Sequence, residues 1–189
     1  MEIVLTGTGS PLPDANRAGP STLVKAGDCH VLVDAGRGVL MRMAAAGSLP
    51  VFLSGVLLTH LHSDHICDLN DVITTHWIMS QGNATLAIYG PPGTEEFVDR
   101  QMHALEADIG YRIEHHDQLI NGPKVDVTEL SPGVEFSIND FRIAAAATQH
   151  APVHPTLGYR FENESAVAAL VGDTVPCEGV DEPAASADA

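Results

Sequence analysis

Three histidines and an aspartate lie within six consecutive positions of this 189-residue chain, at His60, His62, Asp64 and His65. Imidazole nitrogens and carboxylate oxygens are the ligands that suit zinc, manganese or iron. The ordinary alternative for such side chains is a solvated loop or the first turn of a helix. A metal site is favoured because three histidines and an aspartate rarely gather in one short segment without a ligand.

The spacing divides this cluster into two pairs. His60 and His62 are two residues apart, so their side chains point to the same side of an extended backbone. Asp64 and His65 follow where the chain turns, and we expect them to serve a neighbouring ion. One metal would take the first pair and a second metal the other pair. Each pair lacks further ligands, which must come from elsewhere in the chain.

The segments on either side of the cluster predict how it is positioned. Residues 55–58 have the composition of a buried strand, and residues 66–77 carry apolar side chains at helical spacing. We therefore expect the cluster in a short loop between a strand and a helix that ends near Ser80. Such a loop can aim several side chains at one point.

Three other residues of ligand type, Asp34, His150 and Asp173, each follow an apolar segment that we expect to be a strand. His150 is in the right position to be a third ligand of the first metal. An aspartate at the end of a strand and near a glycine, as in Asp34-Ala35-Gly36, can cap a turn or orient a ligand histidine. His154 lies between prolines and carries less weight as a ligand.

The remaining pattern predicts a mixed α/β chain. Residues 39–46 are expected to form a short helix, and Thr94 is expected to cap a longer one. Weak alternation over residues 111–140 predicts two or three antiparallel strands, in which one of His115 and His116 is an open candidate for substrate contact. Other strands are expected over residues 2–6, 21–26, 30–33, 84–89, 141–148, 158–161 and 166–171.

Composition limits the class of protein. Hydrophobic residues make up 44% of the chain and charged residues 18%, which is typical of a globular domain with a core. No apolar run reaches the length of a membrane span, and the first residues do not resemble a signal peptide. Cys29, Cys67 and Cys177 are odd in number and widely spaced, which suits a reducing cytosol, so we expect a cytoplasmic protein.

The formal net charge is −16, from 9 basic and 25 acidic residues. This balance argues against loose electrostatic binding of a polyphosphate, because lysine and arginine supply most of that affinity. A pair of metal ions would still create a local positive site inside the acidic surface.

The His-x-His-x-Asp-His pattern after an apolar strand resembles the signature of the metallo-β-lactamase superfamily. Asp34, the cluster at 60–65, His150 and Asp173 occur in the order of its metal-site motifs. Within the superfamily, four segments resemble ribonuclease Z and the proteins described as ribonuclease Z-like or arylsulfatase-like. These segments are residues 7–17, 59–65, 158–161 and 172–174.

The resemblance implies an αββα sandwich and a dinuclear zinc site, with manganese or iron as other possible metals. The implied ligands are His60, His62 and His150 on one ion, Asp64 and His65 on the other, and Asp173 bridging both. A hydroxide between the metals would attack phosphorus. Asp64 would also orient or deprotonate the attacking water. Asp34 would not bind a metal itself but would orient a ligand histidine.

Two departures from the family accompany this resemblance. No histidine follows His154, so the family's C-terminal histidine ligand is absent, and His154 or a neighbouring chain would have to replace it. Only 22 residues separate His150 from Asp173, too few for the long tRNA-binding arm of many ribonuclease Z proteins. We expect a single domain over residues 1–189 whose second half is incomplete.

Three functions remain open from the sequence. The first is a zinc phosphodiesterase of ribonuclease Z type, which cuts RNA as in tRNA 3′ processing or cuts a smaller phosphodiester. The second is an arylsulfatase-like or cyclic-nucleotide phosphodiesterase-like hydrolase. The third is an inactive metal-binding fragment. The resemblance also implies a homodimer, and no membrane partner is expected.

Overall fold

The computed structural model describes residues 1–189, which form two β-sheets and six α-helices. Six strands form the larger sheet in chain order, and four form the smaller sheet in the order β10-β9-β8-β7. The strands of the larger sheet are β1 Glu2–Gly7, β2 Ser21–Ala26, β3 Cys29–Val33, β4 Leu53–Leu57, β5 Thr85–Gly90 and β6 Lys124–Glu129. Those of the smaller sheet are β7 Glu135–Ile138, β8 Phe141–His150, β9 Val153–Glu162 and β10 Val167–Leu170.

The helices flank the two sheets. They are α1 Val39–Ala45, α2 Ser63–Ile66, α3 Leu69–Met79, α4 Thr94–Ala104, α5 Glu106–His115 and α6 Glu178–Ala184. None of them is both long enough and apolar enough to cross a bilayer. On the outer side of the small sheet, Arg160 of β9 donates hydrogen bonds to the carbonyls of Pro183 and Ala185 at the end of α6.

Alternation along the strands of the large sheet gives it two apolar faces. Leu23, Leu32 and Val56 point to one face and pack with α1, α3 and α4 in a fully buried cluster. Their chain neighbours, such as Val24 and Leu57, point to the other face and pack against the small sheet. Phe141, Tyr159 and Phe161 form much of that second cluster. The layers therefore follow the expected αββα order.

The strands β3, β4 and β5 run parallel, so their carboxyl ends meet at one edge of the large sheet. Asp34 directly follows β3, and the cluster at 60–65 follows β4. Ligands in sheets of this kind bind outside the carboxyl ends of the strands, and this edge carries the candidate site.

The expectation that the cluster lies in a loop before a single helix is wrong in one respect. The structure places Asp64 and His65 in a short helix of their own, α2, and the longer helix α3 begins only at Leu69. The N–H of Asp68 donates to the carbonyl of Ala35 at 3.0 Å instead of to a carbonyl of α2. The carboxylate of Asp68 accepts the N–H of Gly38 at 2.6 Å. The chain therefore turns at Asp68 to hold the loop after β3.

The expectation that Thr94 caps a helix is also wrong. Thr94 is the first residue of α4, and its hydroxyl donates to the carbonyl of Pro91 at 2.7 Å. The residue before the helix is Gly93, with φ 99°, and the cap comes from Glu129 at the end of β6. Its carboxylate accepts the N–H groups of Gly93 at 2.7 Å and Glu95 at 3.1 Å. Because Glu129 is distant in the chain, the sequence around Thr94 does not indicate this cap.

The antiparallel strands expected over residues 111–140 are only partly present. The segment begins with the end of α5, where His115 and His116 are exposed. β6 pairs with β5 in parallel, and only β7 is antiparallel to its neighbour. Local alternation predicts a strand but does not identify its partner. The partner of β6 is β5, which is separated from it in the chain by α4 and α5.

Candidate metal centre

The backbone of Asp34 turns the chain sharply at the end of β3. Its φ is 62°, a left-handed conformation that aspartate tolerates better than most residues. The N–H of Asp34 still donates to the carbonyl of Leu57 at 2.8 Å, which continues the pairing of β3 with β4. The turn therefore directs the carboxylate beneath the loop that carries the cluster.

The carboxylate of Asp34 is buried and accepts three hydrogen bonds. Its Oδ1 accepts the N–H of Thr59 at 2.8 Å, and its Oδ2 accepts the Thr59 hydroxyl at 2.8 Å. The same Oδ2 lies 2.7 Å from Nδ1 of His65. Because a carboxylate only accepts, the Nδ1 of His65 carries the proton and its Nε2 is directed into the site.

Three imidazole nitrogens converge beside this aspartate. His60 Nε2 lies 3.0 Å from His62 Nδ1, and His150 Nε2 lies 3.2 Å from the same atom. His150 reaches this position from the end of β8 in the small sheet, 88 residues away from His62. We call His60, His62 and His150 the histidine group; their ligand atoms all lie within 4.8 Å of one another.

A second set of ligand atoms adjoins the first. His60, His65 and Asp173, here called the mixed group, also have ligand atoms within 4.8 Å of one another. Asp173 Oδ1 lies 3.5 Å from His65 Nε2, and Asp173 Oδ2 lies 3.9 Å from His150 Nε2. The two oxygens of one carboxylate therefore face histidines of different groups.

The other candidate residues are distributed around these groups. Asp64 belongs to neither group, although it is buried and its Oδ2 lies 3.9 Å from His65 Nε2. His154 lies on β9, is exposed and also belongs to neither group. His76 is buried in α3.

The residues present fit a metal ion. Nε2 of His65 is buried and has no hydrogen-bond partner. A buried polar atom without a partner is rare and costly, and a cation held by the mixed group would satisfy it. Neutral imidazoles with carboxylates are a donor set that binds zinc and related ions.

The ionisation of the histidines differs across the site. Burial, followed by the nearby imidazoles of His65 and His62, lowers the pKa of His60 to about 3. Burial also acts to lower the pKa of His65. The hydrogen bond to Asp34 and the charges of Asp34, Asp173 and Asp64 outweigh that effect and raise this pKa above its usual value.

Glycines allow the loops around the site to approach closely. A Cβ on Gly36 would overlap the carbonyl oxygen of Asp64, and a Cβ on Gly19 would lie 3.0 Å from the same atom. Gly172 has φ 60°, and a Cβ there would lie 2.8 Å from Oγ1 of Thr59. Neither Thr59 nor these glycines had been predicted as residues of the site. The only signal in the sequence was position: Thr59 directly precedes His60, Gly172 directly precedes Asp173, and Gly36 follows Asp34 by two residues.

Comparison with known proteins gives the class. The family model described as Beta-lactamase superfamily domain matches residues 30–188. The short form of human tRNase Z has a similar structure, with a TM-score of 0.78 at 21% identity, covering 100% of this chain and 76% of that one. The metallo-beta-lactamase fold protein YhfI from Bacillus subtilis has a TM-score of 0.69 at 25% identity, covering 93% of this chain and 63% of that one. The expected sandwich fold is confirmed.

Curated relatives give a finer assignment. The Ribonuclease Z of Mycolicibacterium gilvum (strain PYR-GCK) is 52% identical, over 100% of this chain and 67% of the relative. The Ribonuclease Z of Mycolicibacterium paratuberculosis (strain ATCC BAA-968 / K-10) is 53% identical, over 100% of this chain and 68% of the relative. The chain belongs to the ribonuclease Z family within the beta-lactamase superfamily. It spans about two thirds of the length of these relatives.

Proposed function

We propose that this chain is a zinc-dependent phosphodiesterase that cuts RNA, with precursor tRNA as its substrate class. One observation carries the proposal beyond family membership. The carboxylate of Asp173 has one oxygen toward His65 and the other toward His150, as a ligand shared by two neighbouring ions requires.

The proposed ligands are those that the resemblance implies. His60, His62 and His150 would hold one ion, Asp64 and His65 the other, and Asp173 both. Zinc is proposed because imidazole and carboxylate donors with open positions are typical of catalytic zinc sites. Two bound ions would stabilise negative charge on phosphate oxygens and lower the pKa of a water molecule.

The protein's own side chains supply orientation and proton transfer. Asp34 holds the ring of His65 through Nδ1, so that Nε2 remains a lone-pair donor. Asp64 is buried at the same edge, where its carboxylate can orient a water molecule and accept its proton. The apolar interface shared by the two sheets supports treating residues 1–189 as one domain.

Three substrates and a metal analysis test the proposed function. The purified chain, loaded with zinc, is incubated with a precursor tRNA that carries a 3′ trailer, with an aryl phosphodiester and with an aryl sulfate. We expect turnover of the RNA and the aryl phosphodiester but not of the sulfate. Metal content measured by mass spectrometry should approach two ions per chain.

A pair of histidine variants provides the control. His62→Ala should lower both activities at least about a hundredfold, because it removes a proposed ligand. His103→Ala, an exposed histidine of α4, should retain wild-type activity. Cleavage of the sulfate alone would refute the phosphodiesterase assignment. One bound zinc without turnover of any ester would support an inactive metal-binding fragment instead.

A further inference from the structure

Thr59 connects the buried aspartate to the histidine group. It lies between β4 and His60 and is 1% exposed. Its Oγ1 lies 2.8 Å from Asp34 Oδ2 and 3.0 Å from Nδ1 of His60. Asp34 therefore reaches His65 directly and His60 through one hydroxyl group.

The number of available protons determines which of Asp34, Thr59 and His60 donates and which accepts each hydrogen bond. A hydroxyl has one proton to donate, and an ionised carboxylate can only accept. The Thr59 hydroxyl therefore donates to Asp34 and accepts from His60. Nδ1 of His60 must then carry the proton of the neutral ring, and Nε2 keeps its lone pair. That Nε2 is the atom that lies 3.0 Å from His62 Nδ1 in the histidine group.

The surroundings of Thr59 hold its side chain in this position. Its carbonyl accepts the N–H of Leu157 at 2.9 Å, which ties the loop to β9 of the small sheet. Gly172 packs against its side chain, where a Cβ would lie 2.9 Å from Cβ of Thr59 and 3.0 Å from its Cγ2. The hydroxyl is therefore held between two fixed partners and is not free to rotate toward solvent.

We propose that Thr59 is a positioning residue whose hydroxyl selects the Nδ1–H tautomer of His60 and so sets the metal affinity of the histidine group. This inference rests on the proposed function for its biological meaning. The ordinary alternative is that Thr59 only fills space against Gly172. The two roles differ in whether the hydroxyl or the methyl group matters.

Two substitutions separate the hydroxyl from the methyl group. Thr59→Val keeps the shape and removes the hydroxyl, whereas Thr59→Ser keeps the hydroxyl and removes the methyl. Thr74→Val is the matched control, because it removes a buried hydroxyl of α3 that bonds only to helix carbonyls. The full chain is first stripped of metal with a chelator, and zinc is then titrated in competition with a chromophoric chelator.

Nitrogen-15 NMR of the histidine rings gives a readout that does not depend on catalysis. In the metal-free wild type and in Thr59→Ser, His60 should show only the Nδ1–H tautomer. In Thr59→Val it should show a mixture of tautomers. Zinc affinity of the histidine group should fall about tenfold or more in Thr59→Val, and much less in Thr59→Ser and Thr74→Val.

Three results would overturn the inference. They are an Nε2–H tautomer of His60 in the metal-free wild type, unchanged zinc affinity in Thr59→Val, and an equal loss of affinity in the serine and valine variants. The wild-type measurement needs no variant, so it can still overturn the inference if Thr59→Val does not fold, and Thr59→Ser then tests the role of the methyl group. Because neither readout involves turnover, failure of the proposed function would be seen separately, as metal binding without cleavage of any ester.

Discussion

Histidines in this chain differ in role because their surroundings differ. His60 and His65 both lie at the candidate metal centre, and each has one ring nitrogen fixed by Asp34 or Thr59. His76 is equally buried but has only apolar burial acting on it, which lowers its pKa. The residue type therefore gives the range of possible chemistry, and the partner of each nitrogen selects among the possibilities.

Asp64 is the residue for which we propose proton transfer. Asp64→Asn keeps the size of the side chain and removes its negative charge, so it should lower phosphodiester turnover by about 10² to 10⁴. The wild type and the variant should be compared with the aryl phosphodiester at saturating zinc, and circular dichroism should show an unchanged fold. A variant with wild-type turnover would exclude Asp64 from the reaction.

His76 should make the free energy of unfolding depend on pH. Its folded-state pKa is lowered from 6.5 by burial, so below that pH the unfolded chain binds more protons than the folded chain. The contribution of neutral His76 to the free energy of unfolding is complete above pH 6.5 and is lost as the pH falls toward the folded-state pKa. Over that range the free energy of unfolding changes by at most about 1.4 kcal/mol per pH unit.

Urea unfolding at pH 7.5 and 5.5 tests this linkage. His76→Gln removes the titrating group, so its stability should fall less between these pH values than that of the wild type. The same fall in both proteins would mean that His76 does not contribute.

At the scale of elements, the site depends on loops from separate strands that bond to one another. The N–H of Ala35 donates to the carbonyl of His65 at 2.7 Å, and the N–H of Gly36 donates to the carbonyl of Pro20 at 3.1 Å. The loop after β3 therefore lies between the loop before β2 and the cluster helix α2. Position 36 requires glycine, because the backbones of Gly19 and Asp64 are too close to it to leave room for a side chain.

Gly36→Ala should displace the backbone of Asp64. The added Cβ would overlap the carbonyl oxygen of Asp64, so we expect a loss of about 1–3 kcal/mol in the free energy of unfolding and weaker zinc binding. Gly110→Ala is the control: it lies in α5 with open space around it and should raise stability by roughly 0.5–1 kcal/mol. Equal effects of the two variants in urea unfolding would refute the steric argument.

At the scale of the whole molecule, the candidate centre joins the two sheets. The proposed ligands lie at or after the ends of β4 and β8, in α2 and in the segment after β10, so they converge only when both sheets are packed. Metal binding and folding should therefore be coupled.

Removal of metal should lower the melting temperature. Binding to the folded chain alone stabilises it by about 4 kcal/mol at a free zinc concentration a thousand times the Kd. Thermal unfolding of the zinc-loaded chain should shift downward on addition of EDTA and recover with excess zinc. His62→Ala should show a smaller shift. An unchanged melting temperature in the wild type would contradict coupling through this site.

The amount that could be predicted differed between the fold and the site. Apolar runs predicted most strands of both sheets, because burial of a strand requires them. Glu129 as the cap of α4, the parallel partner of β6 and the break at Asp68 could not be predicted, because each depends on a residue far away in the chain. The density of ligand types at 60–65 was visible because those residues are adjacent.

The amino-acid sequence by itself determined the chemistry available: the histidines and carboxylates, their positions after apolar strands, and the resemblance to a family that the comparisons confirm. The tertiary structure alone decided which nitrogen of each histidine faces which partner, and that Thr59 stands between Asp34 and His60. The physical reason is that hydrogen bonds depend on distances of a few tenths of an ångström. Such distances are set by the register and packing of strands that are distant in the chain.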